Sequence, residues 1–229
     1  MNLGGSSWTD VRDASLRVAL LPVGSTEQHG PHAPLSTDAL VAERVAREAG
    51  DRADAAVVLP TLPVGVSEEH RAFDGTLYVS PSTFRSYVAE TARSAPVEKV
   101  VVVNGHGGNI DALHEVCARL TRDDDTPFAT YWTWWRAVDL GDAEMGHAGR
   151  VETSVLLHLD PELVDEDSAA AGADSWGDYA ETAPLAYDSD EFTQEGVVGD
   201  PTQATAEEGE RLYAAAVDSL VRLVGRLAD

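Results

Sequence analysis

The chain has 229 residues, 43% of them hydrophobic, and its 40 acidic residues against 16 basic ones give a formal charge of −24. That is apolar material for one sizeable core and one domain, 1–229, and ordinary counts of 19 glycines and 11 prolines exclude collagen-like and disordered readings. So negative a surface excludes nucleic acid and anionic membranes as partners.

Lysine occurs once, at Lys99, beside this acid excess. The combination reads as adaptation to a salt-rich cytoplasm, since at molar salt the Debye length falls to about 3 Å and neighbouring carboxylates hardly repel. The one cysteine, Cys117, excludes an internal disulfide and a cysteine-built zinc site. The opening "MNLGGSSWTDVRD" has neither the basic patch nor the apolar core of a signal peptide. No apolar run approaches the roughly 20 residues that span a bilayer. A soluble, cytoplasmic protein is expected.

In chain order, "RVALLPVG" (17–24) reads as a buried strand. "TDALVAERVAREAG" (37–50) reads as a helix, capped by Ser36 or Thr37 and stopped by Gly50. "AAVVLPTLPVG" (55–65) is a strand and loop, and "PSTFRSYVAETARSA" (81–95) a helix with proline at its start. "KVVVVNGHGG" (99–108) is the plainest strand, followed by a helix that holds Cys117 as a small core residue. "PFATYWTWW" (127–135) is a further strand and "RVETSVLLHL" (150–159) a short helix. The stretch 161–200 is acidic and weakly periodic, and reads as a lid or subunit contact. A long amphipathic helix (205–228) ends the chain, with Leu212, Ala216, Leu220, Leu223 and Leu227 on one stripe.

This β-α-β-α rhythm predicts an α/β domain, a mostly parallel sheet covered on both faces. Ligands of such sheets bind beyond the carboxyl ends of the strands. "GSTEQHGPH" (24–32) and "NGHGGN" (104–109) both fall there. Glu27 and His29 are two apart, so an extended loop turns both to one side. Asp38 opens the next helix, His106 comes from the second strand end, and Glu152 follows His147 by five residues. Imidazole nitrogen and carboxylate oxygen are donors for zinc or manganese. Together these residues could hold two ions with a shared carboxylate.

Other histidines read more plainly. His114 and His158 sit in helical patterns as ordinary residues. His32 is either an orienting residue or a turn histidine, and His70 either edges the pocket or does not. "NGHGGN" has neither the spacing nor the lysine of a phosphate loop. The tryptophans of "YWTWW" are core or interface, with Trp132 the one best placed to wall the pocket.

Five stretches in order, "PVGSTEQHGPHAPLSTD", "GVSEEHRAFDGT", "VVVNGHGGN", "GHAGRVETS" and "GVVGDPTQAT", resemble the creatininase (creatinine amidohydrolase) family. The resemblance implies a three-layer α/β/α sandwich and a homo-oligomer, often a hexamer. It implies two divalent ions per chain, zinc or manganese with iron as an alternative, and hydrolysis of a non-peptide C–N amide bond. It makes Glu27, His29, Asp38 and His106 metal ligands, with Asp38 bridging, and His147 the active-site histidine. Creatininase itself carries a metal-binding glutamate two residues after the strand-end histidine, where this chain has Gly108. Glu152 is the candidate replacement, as ligand or as base. Creatininase also has a tryptophan shortly before its active-site histidine, and "DLGDAEMGH" has none. These departures argue against creatinine as substrate. They favour other branches: one includes the mycofactocin precursor peptide peptidase, and another removes formyl groups from pyrimidine precursors. Ser67, Gly107, Trp132 and His147 are the candidates to contact the substrate, a small amide or short peptide. A metal-bearing structural subunit without turnover is the reading from another class.

Overall fold

The structure is a computed structural model and describes residues 1–177, 179, 180 and 183–229. A short helix, α1 (Trp8–Asp13), is closed by a capping box between Ser7 and Asp10. Strand β1 (Val18–Val23) is buried at every position. Helix α2 (Thr37–Arg52) follows, then β2 (Ala56–Val58), α3 (Pro81–Arg93), β3 (Lys99–Asn104) and α4 (Ile110–Arg122). Strand β4 (Phe128–Thr133) and α5 (Arg150–Leu159) come next, then a small ribbon of β5 (Tyr179–Ala180) and β6 (Ala183–Pro184), and finally α6 (Ala206–Ala228).

The main sheet runs β2-β1-β3-β4, with every pairing parallel. Alternation along the strands divides its side chains between two cores. Val18 and Leu20 of β1 and Val101 and Val103 of β3 pack with α2, α5 and α6. Ala19, Leu21, Val100 and Val102 pack on the other face with α3 and α4. Each fully buried valine or leucine contributes roughly 1.5–3 kcal/mol of transfer free energy. Residues apolar at every position belong in such a doubly covered sheet, and the result is the expected three-layer α/β/α sandwich. Cys117 lies buried in the second core, where burial pushes its thiol up to about 12. On α6, Leu212, Ala216 and Leu220 are buried and Leu223 and Leu227 pack against them.

Some boundaries differ from the sequence pattern. Gly50 does not stop α2; the helix runs on to Arg52, with Gly50 buried against Val58 of β2. The stretch 55–65 yields only a three-residue strand. β4 ends at Thr133, and Trp134–Ala137 form a 3-10 turn. The segment 161–200 is mostly turns with the β5-β6 ribbon; residues 178, 181 and 182 of it lie outside the described residues. No described helix is long and apolar enough to cross a membrane.

Candidate metal centre

The ends of β1 and β3 lie side by side, with Val23 opposite Asn104. The two strand-end loops, some 80 positions apart in the chain, therefore meet. Asn109 fastens them: its side-chain amide donates to the Gly24 carbonyl (3.1 Å), while its Oδ1 accepts from the Val66 N–H (2.9 Å). Gly105 admits the start of α2, because a Cβ there would stand 2.2 Å from the Asp38 carbonyl oxygen. Asp38, in the first turn of α2, is thereby delivered between the two loops.

Glu27, His29, Asp38, His106, His147 and Glu152 all gather at this rim, and all are buried. Donor atoms of Glu27, Asp38 and His106 lie within 4.8 Å of one another, as do those of His29, His147 and Glu152. Asp38 stands between the groups, Oδ1 3.2 Å from His29 Nε2 and Oδ2 3.0 Å from His106 Nδ1.

The imidazoles are oriented from behind. His106 donates its Nε2–H to the Val66 carbonyl at 2.8 Å, and His29 its Nδ1–H to the Glu27 carbonyl at 3.2 Å. Each then turns its other nitrogen inward, where it offers a lone pair to a metal once its proton leaves. His147 donates from Nε2 to the Gln28 carbonyl at 2.8 Å, so its Nδ1 faces Glu27 at 3.8 Å. Glu152 Oε2 accepts from the Ala148 N–H at 2.7 Å, leaving Oε1 toward His29. Ala148 holds a φ of 52°, a left-handed conformation costly for a residue with a Cβ. That strain places His147 and the bond to Glu152 on one short bend.

The electrostatics follow from burial and opposite charge. Burial opposes charge on His29 and His106, but carboxylates beside them raise both well above the ordinary imidazole value: Asp38 foremost for His29, Glu27 for His106. Burial likewise opposes ionisation of Asp38 and Glu27, yet the imidazoles hold both below the usual carboxylate range. His147, buried and beside His29, is pushed down. His70 is pushed down to about 3 by burial and by His147.

Four inward atoms, both oxygens of Glu27, His29 Nε2 and Asp38 Oδ2, are buried without a hydrogen-bond partner. An unpaired buried polar atom costs about 1–3 kcal/mol, so four in one place call for positive charge among them: protons on His29 and His106 when no metal is bound, or a metal cation in their place. The nitrogen and oxygen donors, already turned inward, fit a divalent metal.

A family model described as creatinine amidohydrolase matches residues 5–224. The chain belongs to the creatininase family. It is 38% identical to the mycofactocin precursor peptide peptidase of Mycolicibacterium smegmatis, over 97% of this chain and 90% of that protein. A solved Bacteroides fragilis protein of the creatinine amidohydrolase type superposes with a TM-score of 0.89, at 27% identity over 100% of this chain and 96% of the other. A creatininase variant in its Zn-Zn form shares the fold (TM-score 0.86, 22% identity, 98% and 97% covered). The chain is thus a hydrolase of the creatininase family.

Within this creatininase-family frame, the departure at Gly108 has a steric cause. A Cβ there would meet the Val66 carbonyl at 2.2 Å, His106 Nε2 at 2.6 Å and Glu69 Oε1 at 2.8 Å. No glutamate fits on this backbone, and Glu152 brings a carboxylate to the His29 side instead.

A cavity of about 240 Å³ opens on the centre, lined by Asp38, His106, Gly107, His147 and Glu152. Of the other expected contacts, Trp132 packs against the core of the sheet, and Ser67 is fully buried, its hydroxyl accepting from the Ser25 hydroxyl at 2.8 Å. Neither lines the cavity. Its apolar walls are Trp135, Met145 and Trp176, and its unexpected acid is Glu69, whose carboxyl burial pushes up. Trp135 is reached because the chain leaves β4 at Thr133 and turns back. Trp176, 6.0 Å from the His147 ring, supplies an indole that the stretch before His147 lacks. His32 lies buried outside both donor groups, 3.0 Å from Thr153 Oγ1. His114 and His158 only edge Tyr131 and Tyr213. Gln28, absent from the sequence reading, bonds His70 and the Gly196 carbonyl from within the first loop.

Proposed function

We propose that the chain is a metal-dependent amidohydrolase holding two divalent ions, zinc or manganese. Glu27 and His106 would hold one ion, His29 and Glu152 the other, with Asp38 shared between them. The four unpaired inward atoms carry this reading. When bound, such ions would polarise the amide carbonyl and acidify a water to serve as nucleophile. His147 is the proton carrier: Gln28 fixes its tautomer, and the Nδ1 lone pair facing the centre can take a proton and pass it to the leaving nitrogen. Trp135 and Trp176 hold a flat group beside the centre and keep bulk water out.

For the substrate, we infer the terminal part of a precursor peptide, because the similarity to the mycobacterial peptidase extends over nine-tenths of both chains. A small amide is the second reading, favoured by the cavity's volume of about 240 Å³. That space takes one side chain or one small ring. A screen of short peptides, formamides and creatinine, each with and without chelator, tests both. Chelator-sensitive release of a peptide fragment is expected. Turnover of formamides alone would favour the small-amide reading, and turnover indifferent to chelator would remove the metal mechanism.

We also read residues 1–229 as one catalytic domain in a homo-oligomer, hexameric by family likeness, working in a salt-rich cytoplasm. The exposed apolar side chains Leu77, Tyr78, Tyr87 and Phe128 support the oligomer, and the charge of −24 supports the salt. Light scattering in molar potassium chloride tests the assembly; a monomer there would remove it.

A further inference from the structure

We propose that His70 is a positioning residue for Glu27 and not a metal ligand. The proposal extends the metal reading above. By distance alone His70 qualifies as a ligand, since Glu27, His70 and His147 bring donor atoms within 4.8 Å of one another. Hydrogen bonding behind the ring decides otherwise.

The polarity of the Gln28 amide is fixed by two backbone groups. The Gly30 N–H donates to Oε1 at 2.9 Å, and Nε2 donates to the Gly196 carbonyl at 2.9 Å. Turning the amide over would break both. His147 Nε2 also lies 2.9 Å from this amide nitrogen, but its proton goes to the Gln28 carbonyl, so the second amide hydrogen is left for His70 Nδ1, at 2.8 Å. The Ser189 hydroxyl reaches the same ring nitrogen at 3.1 Å. The amide N–H can only donate, and the hydroxyl adapts to either role, so Nδ1 presents a lone pair and the neutral ring carries its proton on Nε2.

Nε2 faces Glu27 Oε1 from 3.5 Å. A protonated nitrogen cannot ligate; it presents a hydrogen to the carboxylate. At that distance it orients the carboxylate more than it bonds it. Glu27 is thus turned so that its carboxylate faces His106, 3.2 Å from Nδ1, and the centre, the role of the outer hydrogen bonds around a metal site. His70 is itself fully held: it is buried, stacked on His147 at 4.4 Å between ring centroids, and next to Arg71, which pairs with Asp188. Asp188 and Ser189 belong to the same 161–200 segment as Trp176, which lines the cavity. That segment therefore also braces the ring on which the geometry of Glu27 depends.

Zinc affinity, measured by competition with a chromophoric chelator, separates the roles. His70→Ala should weaken zinc binding about tenfold or more, the usual cost of losing such a partner. His70→Gln should recover most of the loss, because its amide N–H can stand where Nε2–H stood. If Gln is as damaging as Ala, His70 is a ligand; if Ala costs nothing, it positions nothing. Either result overturns the proposal. Imidazole 15N spectra of the metal-free wild type need no variant to fold. They should show the His70 proton on Nε2, and a proton on Nδ1 would overturn the assignment. A wild type that takes up no zinc would remove the metal reading, while the spectra would still decide His70.

Discussion

Asp38 stands 3.0 Å from His106, carboxylate Oδ2 against ring Nδ1, while its other oxygen faces His29. One carboxylate thus touches both donor groups, and it reaches them from the first turn of α2. Asp38→Ala should empty both metal positions, where loss of Glu152 or His106 should empty one. Metal analysis by mass spectrometry after gel filtration checks this. Retention of one ion per chain by Asp38→Ala would remove the bridge. Hydrolysis should fall by roughly 10²–10³-fold or more, the scale of losing an electrostatic stabiliser of the transition state.

His147 differs from the other inward histidines because its pKa is lowered and theirs are raised. It is therefore neutral at pH 7 and free to accept a proton. His147→Ala should lower kcat by about 10²–10⁴-fold, the usual contribution of a general acid–base group. Metal content should stay unchanged. Loss of an ion in this variant would make His147 a ligand of the second group instead.

Much of this centre was legible in the sequence because it hangs on two strand ends. The apolar runs before Gly24 and Gly105 mark β1 and β3 as strands of one parallel sheet, whose carboxyl ends share one rim; that the two are direct neighbours is the structure's addition. The cavity walls were not legible in the same way. Trp135 and Trp132 are equivalent in composition, and only the turn after Thr133 sends one to the cavity and the other to the sheet. Glu69 and Gln28 carry no signal of their own in the sequence, since their roles depend on contacts with His106, His70 and Gly196, far off in the chain. Gly50 read as a stop signal, yet packing against Val58 keeps the helix going for two more residues.

Metal uptake should release protons. In the metal-free protein, His29 and His106 are held charged at pH 7 by the carboxylates beside them, and each must give up its proton to ligate. Affinity should therefore rise with pH, about tenfold per unit for each proton displaced. Calorimetry in buffers of different ionisation enthalpy reads the number directly. Buffer-independent heats would mean that the imidazoles are neutral before metal arrives.

The same raised values set the stability of the metal-free fold. A group whose pKa is higher when folded stabilises fully below its unfolded value, near 6.5 for histidine. That contribution is lost as pH rises through the folded value. Glu27 and Asp38 act oppositely: their lowered values stabilise above the ordinary carboxylate range and fail as pH falls through the folded values. His70 and His147, whose values the fold lowers, add stability that fails as pH drops below about 6.5. The metal-free protein should thus be most stable at about pH 6.5 and lose stability on both sides. Thermal melts in chelator across pH 4–9 check this; a metal-free melting temperature still rising above pH 7 would contradict the assigned charges.

The surface carries a separate prediction. A charge of −24 on 229 residues repels itself, and the exposed ion pairs, such as Arg44–Asp160 and Arg52–Asp218, are too few to offset it. Exposed pairs contribute about 0–1 kcal/mol each, while the like charges act over a Debye length of about 10 Å at 0.1 M salt and 3 Å at 1 M. Raising potassium chloride from 0.1 to 2 M should therefore raise the melting temperature by several degrees. Replacing potassium chloride with a neutral osmolyte controls for general exclusion effects. The metal centre, being buried, should keep its ions across the same range. A melting temperature flat in salt would mean that the acid excess does not govern stability, and the salt-rich habitat would lose its support.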